Sequence, residues 1–132
     1  MTATRTDGPV AARADEVWKV YGSGEAQVVA LRGVSADLAR GRFTAIMGPS
    51  GSGKSTLMHC LAGLDSADSG SILIGGTEIT SLTDDQLTRL RRDKVGFVFQ
   101  AFNLVPTLTA EQNILLPLQL AGRRHDAAWL AT

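Results

Sequence analysis

Gly48-Pro49-Ser50-Gly51-Ser52-Gly53-Lys54-Ser55 is the stretch of this sequence whose residue types and order can do chemistry. Glycines at this spacing let the backbone wrap tightly and turn successive N–H groups inward, a concave nest for phosphate oxygens. A helix starting near Lys54 adds the positive end of its dipole. Lys54 then reaches the outer phosphates, and the Ser55 hydroxyl is placed to ligate Mg²⁺. The order fits G-x-x-x-x-G-K-[ST] at every fixed position. A glycine-rich turn that binds nothing would need neither an apolar strand before it nor an amphipathic helix after it. Both are expected here. Phe43 to Met47 is a compact apolar run, and Leu57, Leu61 and Leu64 share one helical face after the loop. These features predict a phosphate-binding loop, and the chain reads as a nucleotide-binding domain.

The elements that must hold this loop follow from periodicity and punctuation. Residues 1–13 carry no pattern and read as a flexible tail, with the domain proper over 14–132. A strand is expected from Ala14 to Tyr21, ending at Gly22. Val28 to Leu31 and Val34 to Leu38 read as two short β-runs, with Gly33 and Gly41 as breaks. Ser71 to Ile74 is a further strand closed by Gly75-Gly76. Thr83 with Gln86 has capping-box spacing and predicts a helix to about Arg92; Thr109 with Gln112 predicts another. Pro117 would kink that second helix or end it early. Val95 to Phe99 reads as a strand with Val95, Phe97 and Phe99 on one face.

Composition narrows the class. The 132 residues are 44% hydrophobic and 20% charged, so the chain should fold around a core of single-domain size. Thirteen Lys and Arg balance thirteen Asp and Glu, which gives no global attraction to nucleic acid. The basic cluster Arg89, Arg91, Arg92 and Lys94 stands beside Asp84, Asp85 and Asp93 and reads as a solvated helix end. A single cysteine, Cys60, excludes an internal disulfide and fits a reducing compartment. Its neighbour His59 is not at metal-ligand spacing, so core packing is the better expectation for that helix. No apolar signal segment opens the sequence, and the greasiest stretch, Ile114 to Ala121, is far short of a bilayer span.

Beyond the loop, the surrounding residues resemble the ATP-binding subunits of ABC transporters from about Val17 to Gly122. The resemblance is carried by Met47 through Leu57, Leu61-Ala62-Gly63-Leu64-Asp65, Ser69-Gly70-Ser71-Ile72, Val95-Gly96-Phe97-Val98-Phe99-Gln100 and Asn103-Leu104-Val105-Pro106. It implies an α/β P-loop fold of the ABC type, an antiparallel β subdomain plus a RecA-like core. ATP and Mg²⁺ are the implied cofactors, bound by Gly48, Ser50, Gly51, Ser52, Gly53, Lys54, Ser55 and Thr56. Tyr21 stands where the family carries an aromatic residue that stacks on adenine; otherwise it would be a strand-end ring covering a core edge. Gln100 stands at the family's glutamine loop, where it contacts Mg²⁺ and the attacking water. Lys54 and Gln100 are thus the implied catalytic residues, with Ser55 and Gln100 on the metal.

The resemblance also implies partners: a second ATP-binding subunit, and an integral membrane permease that meets the segment 100–117. The protein would lie in the cytoplasm on the inner face of the membrane, held by that permease. Gly96 through Pro106, with Asn113 and Leu116-Pro117-Leu118, looks like the macrolide-export and lipoprotein-release branch. Arg42, Ser66-Ala67-Asp68 and Gln112 depart from the usual pattern without touching the phosphates. No Leu-Ser-Gly-Gly-type signature, no strand ending in Asp-Glu and no histidine switch follows the glutamine loop. The expectation is therefore the N-terminal part of such a domain, truncated and without turnover alone. The alternatives are a non-catalytic nucleotide-binding fragment and a small P-loop kinase, for which no substrate site or lid is apparent.

Overall fold

The computed structural model describes residues 7–130 and divides after Leu87 into two compact units. In the first, four antiparallel strands form one sheet. They are β1 (Val10–Tyr21), β2 (Val28–Ala39), β3 (Ser69–Ile74) and β4 (Thr77–Glu78), in the order β2-β1-β3-β4. Helix α1 (Lys54–Leu61) packs on this sheet through Leu57, Cys60 and Leu61, all buried with Val17, Leu31, Ile72, Ile74 and Ile79. Burying side chains the size of Leu57 and Leu61 stabilises by about 2 kcal/mol each. Burial also pushes the Cys60 thiol up to about 11, so it stays protonated and packs as a small apolar group.

One irregularity in β1 decides which residues face that helix. Ala14 and Val17 are both buried, a spacing of three where an unbroken strand would repeat every two. The extra residue is a bulge at Asp15–Glu16. Pairing shifts there against both β2 and β3, and Glu16 has a φ of 48°. Ser35 on β2 holds it by accepting the Glu16 backbone N–H at 2.9 Å. After the bulge the alternation resumes, and Val17 and Lys19 turn inward while Trp18 stays partly exposed.

Several expectations change. Residues 10–13, assigned to the tail, are the start of β1, because Ala12 and Arg13 pair with Ile74 and Leu73. Arg13 also forms a two-pronged ion pair with Asp37 at 2.6 and 2.8 Å. Residues 1–6 lie outside the described residues. The two runs around Gly33 are one strand, since β1 pairs with both sides of the break, Val17 with Val34 and Lys19 with Leu31, across a register shift. Phe43 to Met47 forms no strand, and the Phe43 side chain is 98% exposed. Val95 to Phe99 forms none either, although Phe97 and Phe99 stack at 5.4 Å as an extended i, i+2 pair should. A strand is defined by its hydrogen-bonded neighbours, and among the described residues neither run has one.

Helix α2 (Asp84–Lys94) opens on the expected box, with the Thr83 N–H donating to Gln86 Oε1 at 3.0 Å. Its acidic first turn and basic last turn complement the helix dipole. In the second unit α3 (Ala110–Leu120) starts on the Thr109–Gln112 box, both bonds formed, and α4 is a single turn (Ala127–Leu130). Pro117 does not end α3, which continues to Leu120. Proline removes one backbone donor, and the turn after it still closes through Ala121 N–H to the Pro117 carbonyl at 3.1 Å.

Candidate functional site

The loop from Gly48 to Gly53 is exposed apart from Gly53 itself, and one internal turn shapes it, Ser52 N–H to the Pro49 carbonyl at 3.3 Å. Gly53 is the N-cap of α1 in the left-handed region (φ 84°). No L side chain fits there, because a Cβ would lie 2.5 Å from the Ala30 carbonyl oxygen on β2. Glycine thus does two things at this position: it turns the chain into the helix, and it lets the helix start seat directly on the sheet. No side chain caps the N-terminus of α1, so the first-turn N–H groups lack the partner that an Asp, Ser or Thr cap would supply. That arrangement suits an anion.

Lys54 curls back over the loop. Its ammonium donates to the Pro49 carbonyl at 2.5 Å and to Ser52 Oγ at 3.3 Å. Ser55 is exposed on the first turn beside it, with an oxygen of the kind Mg²⁺ takes. The structure therefore brings Gly48, Ser50, Gly51, Ser52, Gly53, Lys54, Ser55 and Thr56 together as one loop and helix start.

Tyr21 ends β1 and belongs to the same unit. Its hydroxyl donates to Asp65 Oδ2 at 2.6 Å, and the other Asp65 oxygen accepts from Lys19 Nζ at 2.8 Å. Lys19 also donates to the Ser66 carbonyl at 2.7 Å and lies 5.2 Å from the centre of the Tyr21 ring. Periodicity-based reading passes over Lys19 and Asp65. The available signal is a lysine in step with Val17 and Tyr21 on the inward face of a strand. At 7% exposure Lys19 must be paired, since an uncompensated buried charge is strongly destabilising.

The hydrogen bonds from Lys19 and then Tyr21 hold the Asp65 carboxyl below its ordinary 3.8. Its stabilising contribution is accordingly complete above about pH 4 and is lost as the pH falls through the lowered folded value. In urea melts from pH 7 to pH 2, Asp65→Asn should be less stable at neutral pH and should lose less on acidification than the parent. Parallel curves would show that the pair carries no pH-linked stability.

Gln100 belongs to the second unit, in an exposed turn where Phe102 and Asn103 both have positive φ (59° and 49°). Asn113 on α3 fixes the segment that follows. Its amide accepts from Val105 N–H at 2.8 Å and donates to the Leu108 and Thr109 carbonyls at 3.2 and 2.9 Å. The side chains of Phe102, Leu104 and Ile114 are left exposed. Among the described residues no helix is long and apolar enough to cross a membrane.

Comparison with known proteins gives this geometry a context. Residues 31–132 match the family model described as ABC transporter. An uncharacterised ABC transporter ATP-binding protein of Thermotoga maritima is 50% identical over 81% of this chain and 46% of its own length. The macrolide export ATP-binding/permease protein MacB of Bdellovibrio bacteriovorus is 51% identical over 76% of this chain and 15% of its own. A solved dimeric ATP-binding cassette, in a post-hydrolysis state bound to ADP and phosphate, superposes with a TM-score of 0.80 at 42% identity. That alignment covers 90% of this chain and 52% of that one. The chain thus spans about half the length of the single-cassette relatives it matches, and far less of the permease-fused one.

Proposed function

The chain belongs to the ABC transporter family, and from that premise we propose that it is the N-terminal part of a transport ATPase's nucleotide-binding domain. The observation that carries the proposal is the uncapped, glycine-led start of α1 with Lys54 folded over its mouth. On ATP binding, the ammonium exchanges the Pro49 carbonyl and Ser52 hydroxyl for phosphate oxygens, which are stronger, charged partners. The N–H groups of the loop and of residues 54–56 take the remaining oxygens. Ser55 is the residue of this loop that would hold Mg²⁺, which when bound neutralises phosphate charge. Tyr21 offers its ring to adenine; by the resemblance of its segment to the family's glutamine loop, Gln100 would serve the metal and the water.

Relatives named as permease-fused exporters, and a relative solved as a dimer, support two further parts of the proposal. The segment 100–117, braced by Asn113 and exposing Phe102, Leu104 and Ile114, meets a permease of the export or lipoprotein-release type. A second copy of the complete domain completes the site. The protein then works at the inner face of the membrane.

We assign to this stretch the binding half of the chemistry, with the carboxylate that orients the water lying outside it. Titration of the chain with Mg-ATP, followed by calorimetry, should show saturable binding, while phosphate release should stay at the buffer rate. Absence of binding overturns the assignment of the loop. Steady-state release that Lys54→Ala abolishes overturns the division between binding and hydrolysis.

A further inference from the structure

We propose that Asp65 is a positioning residue for the base platform, holding the Tyr21 ring in place and tying it to the helix that carries the phosphate loop. The proposal rests on the assignment of Tyr21 to adenine made above and adds what fixes that ring. Tyr21 stands at a strand end and is 41% exposed, so packing alone does not hold it. A ring that sweeps through rotamers must be immobilised on binding, which costs conformational entropy. A ring already anchored escapes that cost.

The anchor is built from both Asp65 oxygens. Oδ2 accepts the Tyr21 hydroxyl at 2.6 Å. Oδ1 accepts Lys19 Nζ and the Ser66 backbone N–H, each at 2.8 Å. Lys19 is in turn fixed by the Ser66 carbonyl and sits 5.2 Å from the ring centre, within cation–π range. The loop that carries Asp65 is sewn to β1 on either side of Lys19. Asp68 Oδ2 accepts from Val20 N–H at 2.6 Å, and Asp68 N–H donates to the Trp18 carbonyl at 2.9 Å.

Asp65 is also tied to the end of α1, since its N–H donates to the His59 carbonyl at 3.2 Å. The tyrosine is therefore tied, through Asp65, to the C-terminal end of α1. Base platform and phosphate loop are thus linked through α1, with the platform at its C-terminal end and the loop at its N-terminal end.

The test compares Mg-ATP with Mg-tripolyphosphate, which has the phosphates and no base. Affinities are measured for the unaltered chain, Tyr21→Ala, Tyr21→Phe, Asp65→Ala and the double variant Tyr21→Phe/Asp65→Ala. Tyr21→Phe keeps the ring, loses only the anchor and leaves the Lys19–Asp65 pair intact. It should weaken ATP about three- to tenfold, the worth of one such hydrogen bond, and leave tripolyphosphate unchanged. The double variant should lose no more ATP affinity than Asp65→Ala alone. If Asp65→Ala does not fold, Asp65→Asn replaces it in the cycle; it keeps an acceptor for the phenol and should bind ATP more tightly than Tyr21→Phe does. Should Tyr21→Phe bind ATP like the parent while Tyr21→Ala is weakened, the platform stands and the anchor is overturned. An equal loss for ATP and tripolyphosphate would make the contact merely structural and also overturns it. Unchanged ATP affinity in Tyr21→Ala removes the platform itself, and the anchor with it.

Discussion

Lys54→Ala lowers the affinity of this chain for Mg-ATP by about ten- to a hundredfold, the loss expected when one charge-assisted contact to phosphate disappears. The ammonium already stands over the loop, 2.5 Å from the Pro49 carbonyl, so it needs little motion to reach a ligand there. Alanine is the best helix former, so α1 itself is not weakened at its first residue. The loss should therefore appear in calorimetric titration while the thermal unfolding midpoint stays within a degree or two. Equal affinities of the two forms would remove the loop from nucleotide binding. A large fall in the midpoint would instead give Lys54 a role in holding the fold.

Gly70→Ala is expected to be the most damaging single methyl group in the first unit. Gly70 has a φ of 88°, and a Cβ there would lie 2.3 Å from the Glu16 carbonyl oxygen and 2.6 Å from that of Asp15. Both are backbone atoms in the β1 bulge, so no rotamer change relieves the contact. Strain and overpacking together cost about 3 kcal/mol, which for a chain of this size lowers the unfolding midpoint by about 10 °C. The same bulge sets the phase that turns Val17 and Lys19 inward and carries Tyr21 to Asp65. Loss of stability should accordingly be accompanied by weaker ATP binding even at temperatures where the variant is folded. A Gly70→Ala chain with the parent's midpoint would show that β3 need not approach the bulge so closely.

The parts of the site legible in the sequence are those whose chemistry is contiguous. The phosphate loop, the helix after it and both capping boxes are short patterns in which each residue acts on neighbours a few positions away. Gly53 in the left-handed region and the paired bonds of Thr109 with Gln112 are local consequences of local sequence. Only the family resemblance points to Tyr21, and nothing in the sequence points to the partner of its hydroxyl. Lys19 and Asp65 are 46 residues apart, and although Asp65 closes the Leu61–Asp65 stretch, nothing in that stretch points to Lys19 or to the Tyr21 hydroxyl.

Sequence alone determined the chemistry this chain can offer to a phosphate and the helices with their capping boxes, because backbone propensity, capping and glycine freedom act over a few residues. Tertiary structure alone decided which of those residues meet. Strand pairing merged the two runs around Gly33 into β2 and drew residues 10–13 into β1. It gave Phe43–Met47 and Val95–Phe99 no partner among the described residues, so their alternation did not become strand. The bulge at Glu16, one extra residue in the ladder, reversed the face expected from simple alternation and buried a lysine instead of Trp18. Side-chain direction along a strand has a period of two, so a single inserted residue reassigns every contact beyond it. Whether a bulge forms depends on how β1, β2 and β3 approach one another.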